Sequence, residues 1–360
     1  MYTLNQKIRN LAPYQPVAGT YKIRLDANES AFSLPDEIAS QIHAAIEEVD
    51  FNRYPDPNAT QLCSAFADFY GIDPACVTAG NGSDELISIL MSSFLMKGET
   101  VITAEPDFSM YRFYASLSEM QCICVHKQAD LTIDIKKIVE AVRQHHAGMV
   151  IFSNPCNPTS KALCAQDVEA LIADCPQTLV VLDEAYMDFW EESLLKKACC
   201  YENLVILRTA SKAVGAAALR LGFAVAGPAV TRALRAVKSP YNVNALSQAA
   251  GTVLYHNKEY LMNMKKTIVT LRTNLYNSLA GLAEKYPGIF QAVEGCSNFV
   301  LLKTSCADQL YTYMLQNSVA IRKLLDGYVR VTTGTQQENE VFLQLLEAFL
   351  AKRQKDAAVV

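Results

Sequence analysis

A lysine and an arginine sit where apolar residues surround them. Leu204 to Leu207 is an apolar run that reads as a buried strand, and the polar turn Thr209-Ala210-Ser211 leads from it to Lys212. Eight residues on, Arg220 interrupts a stretch of Ala, Val, Leu and Gly. Buried cations are costly unless paired, and a desolvated lysine is a ready imine-former. An aldehyde cofactor held by Lys212, with its phosphate held by Arg220, satisfies both. The competing reading is a surface turn with two solvated charges.

Three other segments present chemistry after a predicted strand. Gly80-Asn81-Gly82-Ser83-Asp84-Glu85 follows Val77 to Ala79, and its glycines and helix start suit a phosphate. The spacing is part of a dinucleotide fingerprint, but Glu85 stands where the third glycine belongs. Ser153-Asn154-Pro155-Cys156-Asn157-Pro158-Thr159-Ser160 follows Met149 to Phe152, a stiff turn that fixes amide side chains. Asp183-Glu184-Ala185-Tyr186 follows Leu179 to Leu182. A buried Asp183 needs a positive partner, such as a protonated pyridine nitrogen, and Tyr186 reaches the neighbouring phenolic oxygen.

These ends need a scaffold. Seven short apolar strands are predicted, the four above with Thr100 to Thr103, Gln121 to Val125 and Phe223 to Ala226. Helical patterns separate most of them, notably Asp134 to His145 and Ala165 to Ala173, and further helices are expected over Pro35 to Glu48 and from Asn58 or Thr60 to Tyr70. Continuous apolar strands are usually buried on both faces, so the expectation is α/β: a mainly parallel seven-stranded sheet with helices on each side and ligands at its carboxyl edge. After Pro240 come a charged helix from Lys258 to Lys285, strands at Phe290 to Val293, Phe299 to Leu302 and Tyr328 to Val331, and helices over Ala307 to Gln316 and Glu338 to Lys352, which read as a smaller α+β unit. The expected division is an arm and part of the small domain over 1–44, a large domain over 45–255 and a small domain over 256–360.

Composition bounds the function. The 360 residues are 51% hydrophobic and 19% charged with net charge -5, and no basic block suggests nucleic acid or an anionic membrane. No apolar run has the length of a membrane span, and the first residues lack a signal peptide. Eleven cysteines without framework spacing read as reduced thiols of a cytoplasmic protein. No His, Cys and acid spacing suits a metal.

In this order the motifs resemble the fold type I pyridoxal-phosphate aminotransferases, in the class II subgroup and its histidinol-phosphate aminotransferase family. The resemblance also covers Ala12-Pro13-Tyr14, Asn28-Glu29, Arg53-Tyr54-Pro55-Asp56-Pro57, Pro240-Tyr241-Asn242-Val243-Asn244 and Arg330-Val331-Thr332-Thr333-Gly334-Thr335. It implies pyridoxal 5'-phosphate on Lys212, which also acts as the general base. It implies Asp183 on the ring nitrogen, Asn157 and Tyr186 on the ring oxygen, and Phe108 against the ring face. The phosphate falls to Gly82, Ser83, Asp84, Thr209, Ser211 and Arg220. Tyr54 is expected at the phosphate of a neighbouring subunit, which implies a homodimer with shared sites. Arg330 is the implied substrate-anion arginine, with Tyr14, Asn28 and Arg322 as helpers. The implied reaction passes an amino group from histidinol phosphate to 2-oxoglutarate, in histidine biosynthesis.

Ser160 departs from the glycine usual after Asn-Pro-Thr, and Ala210, Val214 and Ala216 replace bulkier residues. These changes bear on substrate preference more than on catalysis. On the same fold the alternatives are a threonine-phosphate decarboxylase, whose His-Gly-Gly signature is absent, and an aromatic amino-acid aminotransferase. A cofactor-binding protein without turnover would have lost Asp183, Lys212 or Tyr186.

Overall fold

A computed structural model describes residues 2–13 and 15–358, with side chains to residue 354. Its strands are β1 (Ile23–Arg24), β2 (Val77–Asn81), β3 (Thr100–Glu105), β4 (Gln121–His126), β5 (Met149–Ser153), β6 (Leu179–Asp183), β7 (Leu204–Thr209), β8 (Leu221–Ala226), β9 (Phe290–Val293), β10 (Phe299–Thr304), β11 (Val319–Ala320), β12 (Arg322–Leu325) and β13 (Tyr328–Thr332). Its helices are α1 (Gln6–Arg9), α2 (Asp36–Glu47), α3 (Thr60–Tyr70), α4 (Ser83–Ser93), α5 (Met110–Leu117), α6 (Ile135–His145), α7 (Ala165–Asp174), α8 (Pro228–Val237), α9 (Ala245–His256), α10 (Lys258–Lys285), α11 (Ala307–Gln316) and α12 (Gln336–Ala358).

The seven expected strands form one sheet in the order β2-β8-β7-β6-β5-β3-β4. Five run parallel to one another, while β8 is antiparallel to both its neighbours, β7 and β2. Two reversals restore direction, so β2 ends at the same edge as β5, β6 and β7.

Both faces are covered because successive side chains point to opposite sides. Val180, Leu182, Leu204 and Ile206 join one core with residues of α2, α3, α6, α7 and α9. Val181, Val205 and Leu207 join another with residues of α4, α5 and α8. Each such side chain contributes roughly 1.5–3 kcal/mol by leaving water, which explains the unbroken apolar runs.

The second sheet is antiparallel, in the order β12-β13-β10-β9. Its core takes Leu275 and Leu279 of α10, Leu310 of α11 and Phe342 of α12, and also Leu25, just after β1. Strands β1 and β11 form a separate two-stranded parallel sheet, and the Thr332 N–H of β13 donates to the Leu25 carbonyl, which ties the segment after β1 to the second sheet. A small cluster of Tyr186, Phe189, Ala213, Ile268 and Phe299 packs at the seam between the sheets.

Two expectations are corrected. Neither Asn58 nor Thr60 caps α3; the Asp56 carboxylate accepts the backbone N–H groups of both, and Gly71 ends the helix in the left-handed region at φ 69°. The thiols are not all reduced: Cys76 and Cys199 are disulfide-bonded, with Cα atoms 6.2 Å apart across 123 residues of sequence. Cys76 immediately precedes β2, whose Val77 pairs with Val225 of β8, and Gly227 beyond β8 packs close to the Cys199 carbonyl. Folding alone creates that proximity.

Candidate active site

Gly222 lies at the centre of one wall. It pairs with Gly80 on one side and Thr209 on the other, at the start of β8. A Cβ there would stand 2.2 Å from the Ser83 nitrogen, so only glycine lets β8 pass under the start of α4. Gly82 caps that helix at φ 84°, with no side-chain cap on the first turn. The N–H groups at the head of α4 are an anion site in the making. Arg220 reaches the same corner: its guanidinium is 3.4 Å from Asp84 and 2.9 Å from where a Gly82 Cβ would be. The hydroxyls of Thr209 and Ser211, 3.0 Å apart, complete it. Glu85 does not spoil the turn; it accepts from the Asn81 N–H and from Asn242, both at 2.7 Å.

Alternation along β6 and β7 sorts the next residues. Asp183 lies on the face of α5, where Tyr111 Oη donates to its Oδ2 at 2.8 Å and the Ala185 N–H to its Oδ1 at 3.1 Å. Burial raises its pKa to about 6 despite both bonds. The neighbours Glu184 and Arg208 point to the other face and pair at 2.9 Å, with Asp188 on the same guanidinium at 2.8 Å. That buried triad keeps β6 and β7 aligned beneath Asp183 and Thr209.

Lys212 follows β7. Its Nζ donates to the Ala27 carbonyl at 3.0 Å and lies 5.9 Å from the Tyr186 ring centre. Burial lowers its pKa to about 8; Arg330 and Arg220 act in the same direction, and Glu29 and Asp84 oppose them.

The remaining residues enter from the loop after β5 and from the second sheet. Arg330 donates to Asn157 Oδ1 at 2.5 Å and to the Asp26 carbonyl at 2.6 Å, and its guanidinium lies over the Phe299 ring. With its oxygen engaged, Asn157 turns its amide nitrogen to donation. Asn28 donates to Tyr186 Oη at 2.9 Å. Burial pushes the Tyr186 phenol up to about 12.

One cavity of about 900 Å³ is lined by Ser83, Asp84, Phe108, Asn157, Asp183, Tyr186, Thr209, Ser211, Lys212 and Arg220, with Asn28, Arg322 and Arg330 on the side of the second sheet. Gly82 lies directly behind Ser83. Tyr54 is not part of it; it is 81% exposed and stacks on Tyr241 at 4.5 Å. Tyr14 falls outside the described residues. Sequence reasoning missed Tyr111, although Asp107-Phe108-Ser109-Met110-Tyr111 stands after a strand, as the other site segments do. It also missed Asp107, whose carboxylate accepts from the Phe108 N–H and from Ser153 Oγ, which in turn accepts from the Asn157 N–H.

These donors fit a pyridine aldehyde phosphate. Asp183 is a buried carboxylate whose bonds come from a phenol and a backbone N–H, so a ring cation is the partner it lacks among the described residues. The glycine-lined corner takes a phosphate, and Lys212 is an amine of lowered basicity in the same cavity.

The comparisons agree with that chemistry. Residues 20–346 match the family model of aminotransferase class I and II. The chain belongs to that family. The aminotransferase is 37% identical over 336 residues to histidinol-phosphate aminotransferase of Clostridium novyi (strain NT), covering 92% of this chain and 93% of the relative. Among solved structures it resembles histidinol-phosphate aminotransferase from Sinorhizobium meliloti in complex with pyridoxal-5'-phosphate, at TM-score 0.83 and 22% identity over 92% of each chain. L-threonine-O-3-phosphate decarboxylase from Porphyromonas gingivalis is also similar, at TM-score 0.77 and 23% identity over 91% of this chain and 99% of that one. Backbone shape alone therefore does not separate these activities.

Proposed function

We propose that this aminotransferase uses pyridoxal 5'-phosphate to move the amino group of histidinol phosphate to 2-oxoglutarate, the implied step of histidine biosynthesis. One observation carries the reading: the cavity offers anion-binding chemistry on two separate walls. The head of α4 with Arg220 suits the phosphate of the cofactor. Arg322 and Arg330, paired in register on β12 and β13, suit the anion of a phosphorylated amine. The named relatives act as further support for the substrate.

Bound in this site, the pyridine ring supplies an electron sink next to the carbon that bears the amino group. The chain does the rest. Asp183 holds positive charge at the ring nitrogen. Asn157 and Tyr186 would hold the ring oxygen, and Phe108 would supply an apolar wall for the ring. Lys212 would hold the aldehyde carbon and, as a free amine, would move the proton at the substrate α-carbon; a pKa of about 8 leaves a usable neutral fraction at neutral pH. Asn28 keeps Tyr186 in place, and Arg322 and Arg330 orient the substrate.

A homodimer with shared sites is part of the proposal. Its support is Tyr54, a large exposed aromatic held in a fixed stack outside its own cavity. A cytoplasmic location is supported by nine free cysteines among the described residues, with the Cys76–Cys199 bond the feature against it.

A substrate panel tests the assignment. Purified protein should be yellow, borohydride should fix the cofactor on Lys212, and L-histidinol phosphate with 2-oxoglutarate should yield glutamate. Carbon dioxide release from threonine phosphate alone would overturn the assignment in favour of the decarboxylase. Turnover of aromatic amino acids without histidinol phosphate would make Arg330 a carboxylate site.

A further inference from the structure

Beneath the wall that carries Asn157 lies a sealed cluster with no part in the proposed reaction. Lys127, just after β4, has a side chain 1% exposed, and the Asp107 side chain beside it is 2% exposed. Lys127 Nζ donates to the Pro106 carbonyl at 2.8 Å and lies 3.6 Å from the Asp107 carboxylate. It is also 2.7 Å from the sulfur of Cys156, which is itself 1% exposed. An N–H donor usually sits about 2.9 Å from oxygen, and sulfur is the larger atom. Amine and sulfur are therefore in tight contact, with solvent excluded.

We propose that Lys127 and Cys156 form an oxidative cross-linking site, in which a hydroperoxide converts the pair into an S–N bond. The Cys156 sulfur gives two electrons to the O–O bond of the peroxide, which breaks; one oxygen stays on sulfur as a sulfenic acid and the other leaves as water. Lys127 first passes a proton to the Asp107 carboxylate 3.6 Å away; the freed nitrogen then attacks the sulfur, the S–O bond breaks, and that oxygen takes a second proton from nitrogen and leaves as a second water. From thiol, ammonium and hydrogen peroxide the products are the S–N link, two waters and one proton. Sulfenic acids condense in this way with thiols and with nitrogen nucleophiles.

The geometry decides which nucleophile wins. Burial and Asp107 push the Cys156 thiol up, with Lys127 opposing, so the first oxidation is slow. Once sulfenic acid forms, the amine is already in contact, and an intramolecular partner so placed outcompetes dissolved ones. Pro106, Asp107, Ser153 and Asn157 line the active-site cavity while Lys127 and Cys156 lie behind them, so a small peroxide reaches the sulfur from the cavity when this wall opens locally.

The link has a consequence for the site. It removes the positive charge of Lys127 and leaves Asp107 buried without its cation. Asp107 holds the Phe108 N–H at 2.7 Å and also Ser153 Oγ, and Ser153 Oγ holds the Asn157 N–H at 3.1 Å. Two residues of the proposed cofactor site thus depend on the charge that the link removes. This consequence rests on the proposed function; the link itself does not.

Peptide mapping of the holoenzyme after brief treatment with hydrogen peroxide tests it. Free thiols are alkylated before digestion. Expected is a joined pair of peptides carrying Lys127 and Cys156, lighter by two hydrogens than their sum, with activity lost in proportion to the linked fraction. A thiol reductant should restore both peptides and the activity. Cys156→Ser should yield no linked pair and should keep its activity at the same peroxide dose. Lys127→Arg, which retains the cation if Lys127→Met does not fold, should leave Cys156 oxidised but unlinked. Recovery of wild-type Cys156 as an alkylated thiol or an unlinked sulfinic acid, with activity already lost, would overturn the proposal. Because the mass readout needs no turnover, failure of the link and failure of the functional assignment remain distinguishable.

Discussion

Tyr111 and Asp183 form a 2.8 Å hydrogen bond between a helix and a strand end 72 residues apart in sequence. The phenol donates, which favours the ionised carboxylate against the burial that raises its pKa to about 6. Tyr111→Phe removes the donor and preserves the ring, so the Asp183 pKa should move further up. With Asp183 needed as an anion, the acid limb of kcat/KM should shift to higher pH, and activity at neutral pH should fall roughly tenfold, the lower range for loss of a supporting hydrogen bond at a tuned site. An unchanged acid limb would assign Tyr111 to packing alone.

The same burial gives the cofactor-free protein a distinctive dependence of stability on pH. Asp183 rises from 3.8 to about 6, and Glu184 from 4.5 to about 7. A raised folded-state pKa means that the folded chain keeps a proton that the unfolded chain has released. These two groups therefore favour folding below about pH 4 and lose that contribution as pH rises to about 7. The Asp183 share is of order 3 kcal/mol from its shift. Asp183→Asn should flatten the decline between pH 4 and 6, and bound cofactor should do likewise by supplying a cation. Urea midpoints of cofactor-free protein across this range provide the measurement. Parallel curves for wild type and Asp183→Asn would refute the account.

Gly222 offers a steric test. Alanine there would place Cβ against backbone atoms of Gly82 and Ser83 at 2.3 and 2.2 Å, and backbone cannot rotate aside as a side chain does. The head of α4 must move, so the dissociation constant of the cofactor should rise at least tenfold and stability should fall by about 1–3 kcal/mol. Gly281 is the control. Nothing lies within 4 Å of its would-be Cβ on α10, so Gly281→Ala should stabilise the chain by roughly 0.5–1 kcal/mol without affecting cofactor affinity. Equal cofactor affinity in Gly222→Ala would remove the cradle from the argument.

The strand-end chemistry was legible because residue type and position coincide there. An acid, an amide, a lysine and a glycine turn each follow a short apolar run, and the sheet brings those runs to one edge. The missing pieces come from contacts that no local pattern encodes. Strand β12 begins Arg322-Lys323 and pairs only with β13 at the edge of its sheet, so it shows no apolar alternation. Helix α5 is short, and its site residue Tyr111 is significant only through Asp183. The antiparallel direction of β8 is invisible in its composition. Ser160 shows the limit most directly: it adopts φ 58°, which favours glycine, while its Oγ accepts from the Ser297 N–H at 2.8 Å. That bond ties the Asn157 loop to the approach to β10, a tertiary role that the substitution alone did not reveal. Ala210, Val214 and Ala216 are buried, and their small size has no further explanation in the contacts around them.

Lys212 and Arg330 supply the last test. Burial is the main reason for the lowered lysine pKa, and Arg330 is the largest charge acting with it. With a pKa of about 8, about a tenth of Lys212 is neutral at pH 7 and about nine tenths at pH 9, so capture of the cofactor aldehyde by cofactor-free protein should quicken across that interval. Arg330→Met removes the cation, which should move the midpoint of this rate profile upward and slow capture at pH 7. The same change withdraws the donor from Asn157 Oδ1, so cofactor affinity should weaken as well. The pH midpoint separates the two effects, because a loss of contact lowers the rate at every pH, whereas a loss of charge displaces the curve. A profile that drops without shifting would leave Arg330 a role in positioning Asn157 and none in tuning the lysine.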